Sequence, residues 1–94
     1  MPIIDSFWGD IQMREHSLFD LLVLSLGNAA LVGLGIVPEP GTNVHNKDLE
    51  AAKYNIELLE TLQKKTKGNL SQAEDEMLAS LLYDLRLKYV EAKK

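Results

Sequence analysis

Two histidines are the first candidates for metal binding or acid–base chemistry. His16 follows Glu15 just before a long apolar run, and His45 lies in a segment rich in proline, glycine and asparagine. A protein metal site needs three or four converging ligands, and neither histidine has such neighbours in the sequence. We therefore interpret both as surface residues and expect no bound metal and no cofactor.

Carboxylates in the last third of the chain are the remaining candidates for general acid–base catalysis: Glu74, Asp75, Glu76 and Asp84. The first three follow Ser71, where negative charge stabilises the first turn of a helix. The chain has no cysteine, and no serine has the histidine-bearing context that nucleophilic catalysis requires. The residues identify no catalytic site, so an enzyme is the less favoured interpretation.

Other charged and aromatic side chains could have either a structural or a functional role. Lys64, Lys65 and Lys67 could hold a phosphate, but no glycine-rich phosphate loop accompanies them, which favours solvated charges at a helix end. Asp84 and Arg86 could pair within the chain or between chains. Trp8 could anchor a partner protein, although packing on the protein's own helices is the favoured alternative.

Composition narrows the classes of protein. The 94 residues suit one domain, and 46% hydrophobic with 26% charged residues is typical of a globular protein. The net charge of −4 argues against a nucleic-acid partner. The start of the chain lacks the basic residues of a signal peptide, and the absence of cysteine fits a reducing cytoplasm.

Residues 17–37 form the most apolar stretch and predict a central helix over about 18–34. Ser17 and Asp20 match a capping box at its start. Gly35 and Pro38 predict its end. The uninterrupted apolar part is shorter than the roughly 20 residues that cross a membrane, so a core helix is favoured and a membrane partner is not expected.

Two amphipathic helices follow a loop at residues 37–46. Asn46 or Asp48 caps the first, over about 47–67, which Gly68 ends. Ser71 and Glu74 form a second capping box for a helix over about 72–91. The short corner between them predicts an antiparallel hairpin. The expected fold is all-α: a small helical bundle at 17–94, preceded at 1–16 by an arm with a short helical turn.

The second half carries two blocks, KTKGNL at Lys65–Leu70 and LLYDLR within Leu81–Glu91. With the apolar LSL segment and a PEP turn at Pro38–Pro40, they resemble the bacterial family called domain of unknown function 1844. The resemblance covers about residues 19–92, and glutamate between the two prolines is a mild departure from the family pattern. It implies no activity, substrate or catalytic residue.

Small side chains recur on the central helix at Ser25, Ala29 and Gly33, a spacing that permits close approach of another helix. The helix is apolar on nearly all sides, and a single helical hairpin cannot cover all of that surface. We therefore expect a homodimer centred on this helix, with Asn28 near the two-fold axis. The candidate interaction residues are Trp8, Ser25, Asn28, Ala29 and Gly33. The favoured function is a helical oligomerisation or protein-interaction module, and the alternative is a small enzyme or ligand-binding protein with a site between helices.

Overall fold

The computed structural model describes Trp8 and residues 15–94. The predicted N-terminal arm at 1–16 therefore lies outside the described residues, except for Trp8, Glu15 and His16. Within the described part, the chain forms three α-helices and no strand. The prediction of an all-α helical bundle is confirmed.

Helix α1 spans Leu18–Gly33. Its start is the predicted capping box: the Asp20 N–H donates to Ser17 Oγ at 3.1 Å, and the Ser17 N–H donates to Asp20 Oδ2 at 3.2 Å. Gly35 follows the helix with a φ of +80°, a conformation that glycine adopts without strain. The local signals therefore set both ends, within one residue of the prediction.

Helix α2 spans Leu49–Lys65. Asp48, rather than Asn46, is its N-cap, and Asp48 Oδ1 accepts the Ala51 N–H at 3.1 Å. Two lysines lie in the last turn, where positive charge is favourable. Gly68 then has a φ of +85° and reverses the chain.

Helix α3 spans Gln72–Lys93, two residues beyond the predicted end. The SQAE sequence at its start forms the second capping box. Arg86 in the middle of α3 pairs with Glu60 of α2 at 2.9 Å, while Lys67 and Asp75 lie together near the corner. These contacts give the expected antiparallel hairpin.

The three helices pack on one another. Gly33 at the end of α1 lies against Ala52 near the start of α2, so α1 and α2 are antiparallel. Ser17 and Glu74 bring the starts of α1 and α3 together, so these two helices run in the same direction. None of the described helices is long and apolar enough to cross a membrane.

The core lies between the three helices and is filled largely by leucine and alanine. Its members are Trp8, Val23, Ala30, Leu31, Leu34, Ala52, Ile56, Leu59, Met77, Leu78, Leu81, Leu82 and Leu85. Val90, which the sequence places beside the α3 stripe, is instead 55% exposed. It lies one turn beyond Arg86 at the rim of a groove between α2 and α3, which Lys53 and Glu57 of α2 also line.

The two capping boxes are joined directly. The Ser17 hydroxyl donates to Glu74 Oε2 at 2.8 Å, while Glu74 Oε1 accepts the Ser71 N–H at 3.0 Å. Both bonds favour the ionised carboxylate, the one to the Ser71 backbone more strongly, and they lower the pKa of Glu74 below its ordinary value. The side chain therefore links the starts of α1 and α3 through its negative charge.

A Glu74→Gln variant is expected to be less stable than wild type at pH 7 and to approach it in acid. Because the folded-state pKa of Glu74 is lowered, its stabilisation is fully present above the unfolded-state pKa and is lost as pH falls from there through the lowered folded-state pKa. Urea unfolding at pH 7 and at lower pH measures the difference. Glu50→Gln, in the first turn of α2, is the control, and an equal pH response of the two variants would contradict the role of Glu74.

Candidate interaction surface

One side of α1 faces solvent over the whole length of the helix. We call it the α1 face, and it consists of Leu18, Leu21, Leu22, Ser25, Asn28, Ala29 and Val32. Leu18, Leu21 and Leu22 are 85%, 51% and 47% exposed. These positions share one side of a helix at 3.6 residues per turn. The first two turns therefore present a contiguous leucine patch to water.

The α1 face carries no charged side chain. Asp20 is the only charged residue between Leu18 and Gly33, and it lies on another side of the helix. Its carboxylate accepts the Ser17 N–H and lies 3.4 Å from His16 Nδ1. An exposed helix surface without charge is unusual for a protein surface and typical of a contact surface.

The second half of the α1 face opens into a groove between α1, the following loop and α2. We call it the α1 groove. It is lined by Ser25, Asn28, Ala29, Val32 and Gly33 of α1, by Glu39, Pro40, Asn46 and Asp48 of the loop, and by Ala51 and Asn55 of α2. Four of the five residues proposed from sequence are therefore brought together in this groove, and Trp8 is not among them.

Internal hydrogen bonds hold the loop beside the α1 groove. The Glu39 N–H donates to the Val44 carbonyl at 2.9 Å, and the Thr42 hydroxyl donates to the Glu39 carbonyl at 3.1 Å. The Asn46 amide donates to Glu39 Oε2 at 3.3 Å. The groove wall is therefore a structured turn and not an open connection.

The small-residue row does not pack as one unit. Gly33 is buried against the start of α2, where a Cβ atom would lie 2.8 Å from Ala52 N and 2.9 Å from the Asp48 carbonyl oxygen. Ser25 is exposed and Ala29 only half-buried. Within one copy, α2 therefore contacts α1 closely only at the Gly33 end of the row, and a close neighbour for Ser25 and Ala29 stays a prediction.

Trp8 lies on the other side of the bundle, between α1 and α3. It is 1% exposed, and its indole N–H donates to Asp84 Oδ2 at 2.8 Å. A Cβ atom at Gly27 would lie 3.0 Å from Trp8 Cη2, so the missing side chain makes room for the ring. Packing on the protein's own helices, the alternative favoured from sequence, is what the structure has.

Two further polar candidates, Asp84 and His45, have structural partners. Asp84 also pairs with Lys88 at 2.8 Å, and His45 Nδ1 lies 3.0 Å from the Gly35 carbonyl oxygen, where it donates a hydrogen bond. Within Trp8 and residues 15–94, no three histidine or carboxylate side chains converge on a possible metal position. The α1 face is consequently the strongest candidate for function.

Sequence reasoning missed which side of α1 stays exposed. The 3–4 spacing of Leu18, Leu21 and Leu22 was available as a signal, but apolar residues at other spacings surround it. A second group of exposed apolar residues, Tyr83, Leu87 and Val90 on α3, was also not identified. Polar neighbours such as Arg86 interrupt this group.

A protein-family model described as Domain of unknown function (DUF1844) matches residues 16–91. The match covers the three helices as far as Glu91, together with the PEP turn and the KTKGNL corner. It confirms the resemblance drawn from those blocks. Comparison with curated proteins and with solved structures gave no match.

Proposed function

Because this chain belongs to the family described as domain of unknown function 1844, a description that names no activity, we propose a function from its surface. The protein is a non-enzymatic helical interaction module that forms a homodimer through the α1 face. The observation that carries this proposal is the exposure of Leu18, Leu21 and Leu22 on a helix side without charge.

A second copy is the occupant that suits this face best. The α1 residues of the face carry no charge with which to select a charged partner, and the carboxylates beside them, Glu39 and Asp48, already accept hydrogen bonds within the chain. The two halves of the face differ in shape, leucines in one and a groove in the other. A two-fold axis pairs such a surface with itself, and two-fold dimers are the commonest oligomers. The absence of cysteine supports a cytoplasmic location for this dimer.

The expected affinity is modest. Complete burial of a leucine contributes about 1.5–3 kcal/mol, so the six partly exposed leucines of two copies would contribute roughly 5–11 kcal/mol. Association costs about 4–15 kcal/mol in lost freedom, which contacts of Ala29 and Val32 help to offset. At the favourable ends of both ranges the net free energy is about −7 kcal/mol, which corresponds to a dissociation constant of roughly 10 μM.

Leu21→Glu is expected to convert the dimer to a monomer, because dimerisation would remove one carboxylate of each copy from water. Leu87→Glu is the matched control, since Leu87 on α3 has the same 51% exposure as Leu21 and lies outside the α1 face. Sedimentation velocity over a dilution series measures the mass of each. The proposal predicts a dimer for wild type and for Leu87→Glu at tens of micromolar.

A 10.5 kDa monomer for wild type at high micromolar concentration would contradict the homodimer. Equal dissociation of both variants would remove the assignment to the α1 face. Binding of wild-type monomer, but not of Leu21→Glu, to phosphatidylcholine vesicles would assign the leucines to lipid and also overturn the proposal.

A further inference from the structure

We propose that the two copies pair antiparallel along the α1 face, so that Leu21 and Leu22 of one copy fill the α1 groove of the other. This inference rests on the proposed homodimer and adds its geometry. It makes the groove a site that is complete only when the second copy supplies side chains to it.

The α1 face is unequal along its length. Its first half bears the exposed leucines, and its second half is the groove lined by Asn28, Ala29 and Val32. Ser25 lies between the two halves and is small and exposed. A large half and a hollow half on one helix match each other only when the second helix runs in the opposite direction.

A two-fold axis beside Ser25 produces this match. Leu21 and Leu22 precede Ser25 by four and three residues, and Asn28 and Ala29 follow it by three and four. In an antiparallel pair, residues on the same flank of the face meet when their distances from the axis are nearly equal. At 100° per residue, Leu22 and Ala29 share one flank and Leu21 and Asn28 share the other, so Leu22 lies opposite Ala29 and Leu21 opposite Asn28. Seven residues from the axis, Leu18 meets Val32. Large side chains thus face small or recessed ones, as close packing requires.

Parallel pairing fits the surface less well. It would place leucine against leucine at one end and leave the two grooves facing each other at the other end, an unfilled space lined by the Glu39 and Asp48 carboxylates of both copies. Unfilled space and like charges both cost stability. Parallel pairing would also align two helix dipoles, whereas antiparallel helices place opposite partial charges together. The loop at Pro40 lies beside the groove end only, so antiparallel pairing keeps the loops of the two copies apart.

Cysteine cross-linking tests the geometry, because the natural chain has no cysteine. A disulfide needs Cα atoms within about 7 Å. In the proposed pair, Ser25 meets its own copy, whereas the two copies of Ala29 are about 12 Å apart along the axis at 1.5 Å per residue. Ser25→Cys should therefore form a covalent dimer under mild oxidation, and Ala29→Cys alone should not.

A mixture of Ala29→Cys and Leu22→Cys proteins should give the cross-linked heterodimer. Ser80→Cys, exposed on α3, measures random oxidation. Self-cross-linking of Ala29→Cys and of Leu22→Cys as efficient as that of Ser25→Cys would overturn antiparallel pairing and leave the homodimer intact. If no variant cross-links more than Ser80→Cys does, both the antiparallel pairing and the homodimer are overturned. Sedimentation of each variant in its reduced form shows whether it still folds and dimerises.

Discussion

Trp8→Ala is expected to destabilise the protein by about 3–5 kcal/mol, as for other large-to-small changes of buried aromatic residues. Trp8 is buried between α1 and α3 and is hydrogen-bonded to Asp84. Its removal would empty the space beside Gly27 and withdraw a hydrogen bond from the Asp84 carboxylate, which also pairs with Lys88. Guanidinium unfolding followed by circular dichroism at 222 nm measures the loss.

Trp8→Phe separates the packing of the aromatic ring from the hydrogen bond to Asp84. It keeps an aromatic ring in the slot and loses the indole N–H, so the expected cost is about 1 kcal/mol plus a small packing loss. A stability of Trp8→Ala within about 0.5 kcal/mol of wild type, the range of ordinary surface changes, would show that Trp8 does not hold the bundle together.

The fluorescence of Trp8 gives an independent measurement, because it is the only tryptophan in the chain. Buried between two helices, it should emit at short wavelength in the folded protein. A Cβ atom at position 27 would lie 3.0 Å from Trp8 Cη2, so the rest of the leucine side chain in Gly27→Leu would occupy the space of the indole ring. A red shift in this variant with retained helical circular dichroism is the expected result, and an unchanged emission would contradict the slot.

Gly33→Leu is expected to cost about 3 kcal/mol, a decrease in melting temperature of more than 10 °C for a chain of this size. The atoms nearest to a new Cβ are backbone atoms, Ala52 N and the Asp48 carbonyl oxygen. They cannot rotate away as a side chain can, and the Gly33 carbonyl accepts the Asp48 N–H at 2.7 Å. The start of α2 would have to move.

Two further variants make this result specific. Lys53→Leu, on the exposed side of α2, should stay within about 0.5 kcal/mol of wild type. Gly33→Ala tests whether the change in stability is a loss or a gain, because alanine normally stabilises a helix interior by about 1 kcal/mol relative to glycine. Here it should destabilise. Thermal unfolding of Gly33→Ala at or above the wild-type temperature would refute the close contact.

The helix ends could be predicted because their causes are local. Ser17 with Asp20, and Ser71 with Glu74, satisfy backbone groups within three residues. Gly68 reverses the chain through a conformation that its own lack of a side chain permits. Residue types at fixed short spacings were therefore enough to predict the three helices and the hairpin, and also to identify the family.

The choice between Asn46 and Asp48 needed the fold. Both side chains can cap a helix, but the Asp48 N–H donates to the Gly33 carbonyl, which anchors the start of α2 on the end of α1. Trp8 likewise depends on Gly27 and Asp84, which are far from it in the chain. No short-range pattern connects three such positions.

By itself, the sequence determined the helices, their caps and an apolar α1 that needs covering on several sides. Only the tertiary structure decided which side of α1 remains open. A helix that is apolar nearly all round has no preferred inward side, so its rotation depends on what α2 and α3 can cover. Gly27 and Gly33 allow those contacts on the buried side, and they leave Leu18, Leu21 and Leu22 facing outward.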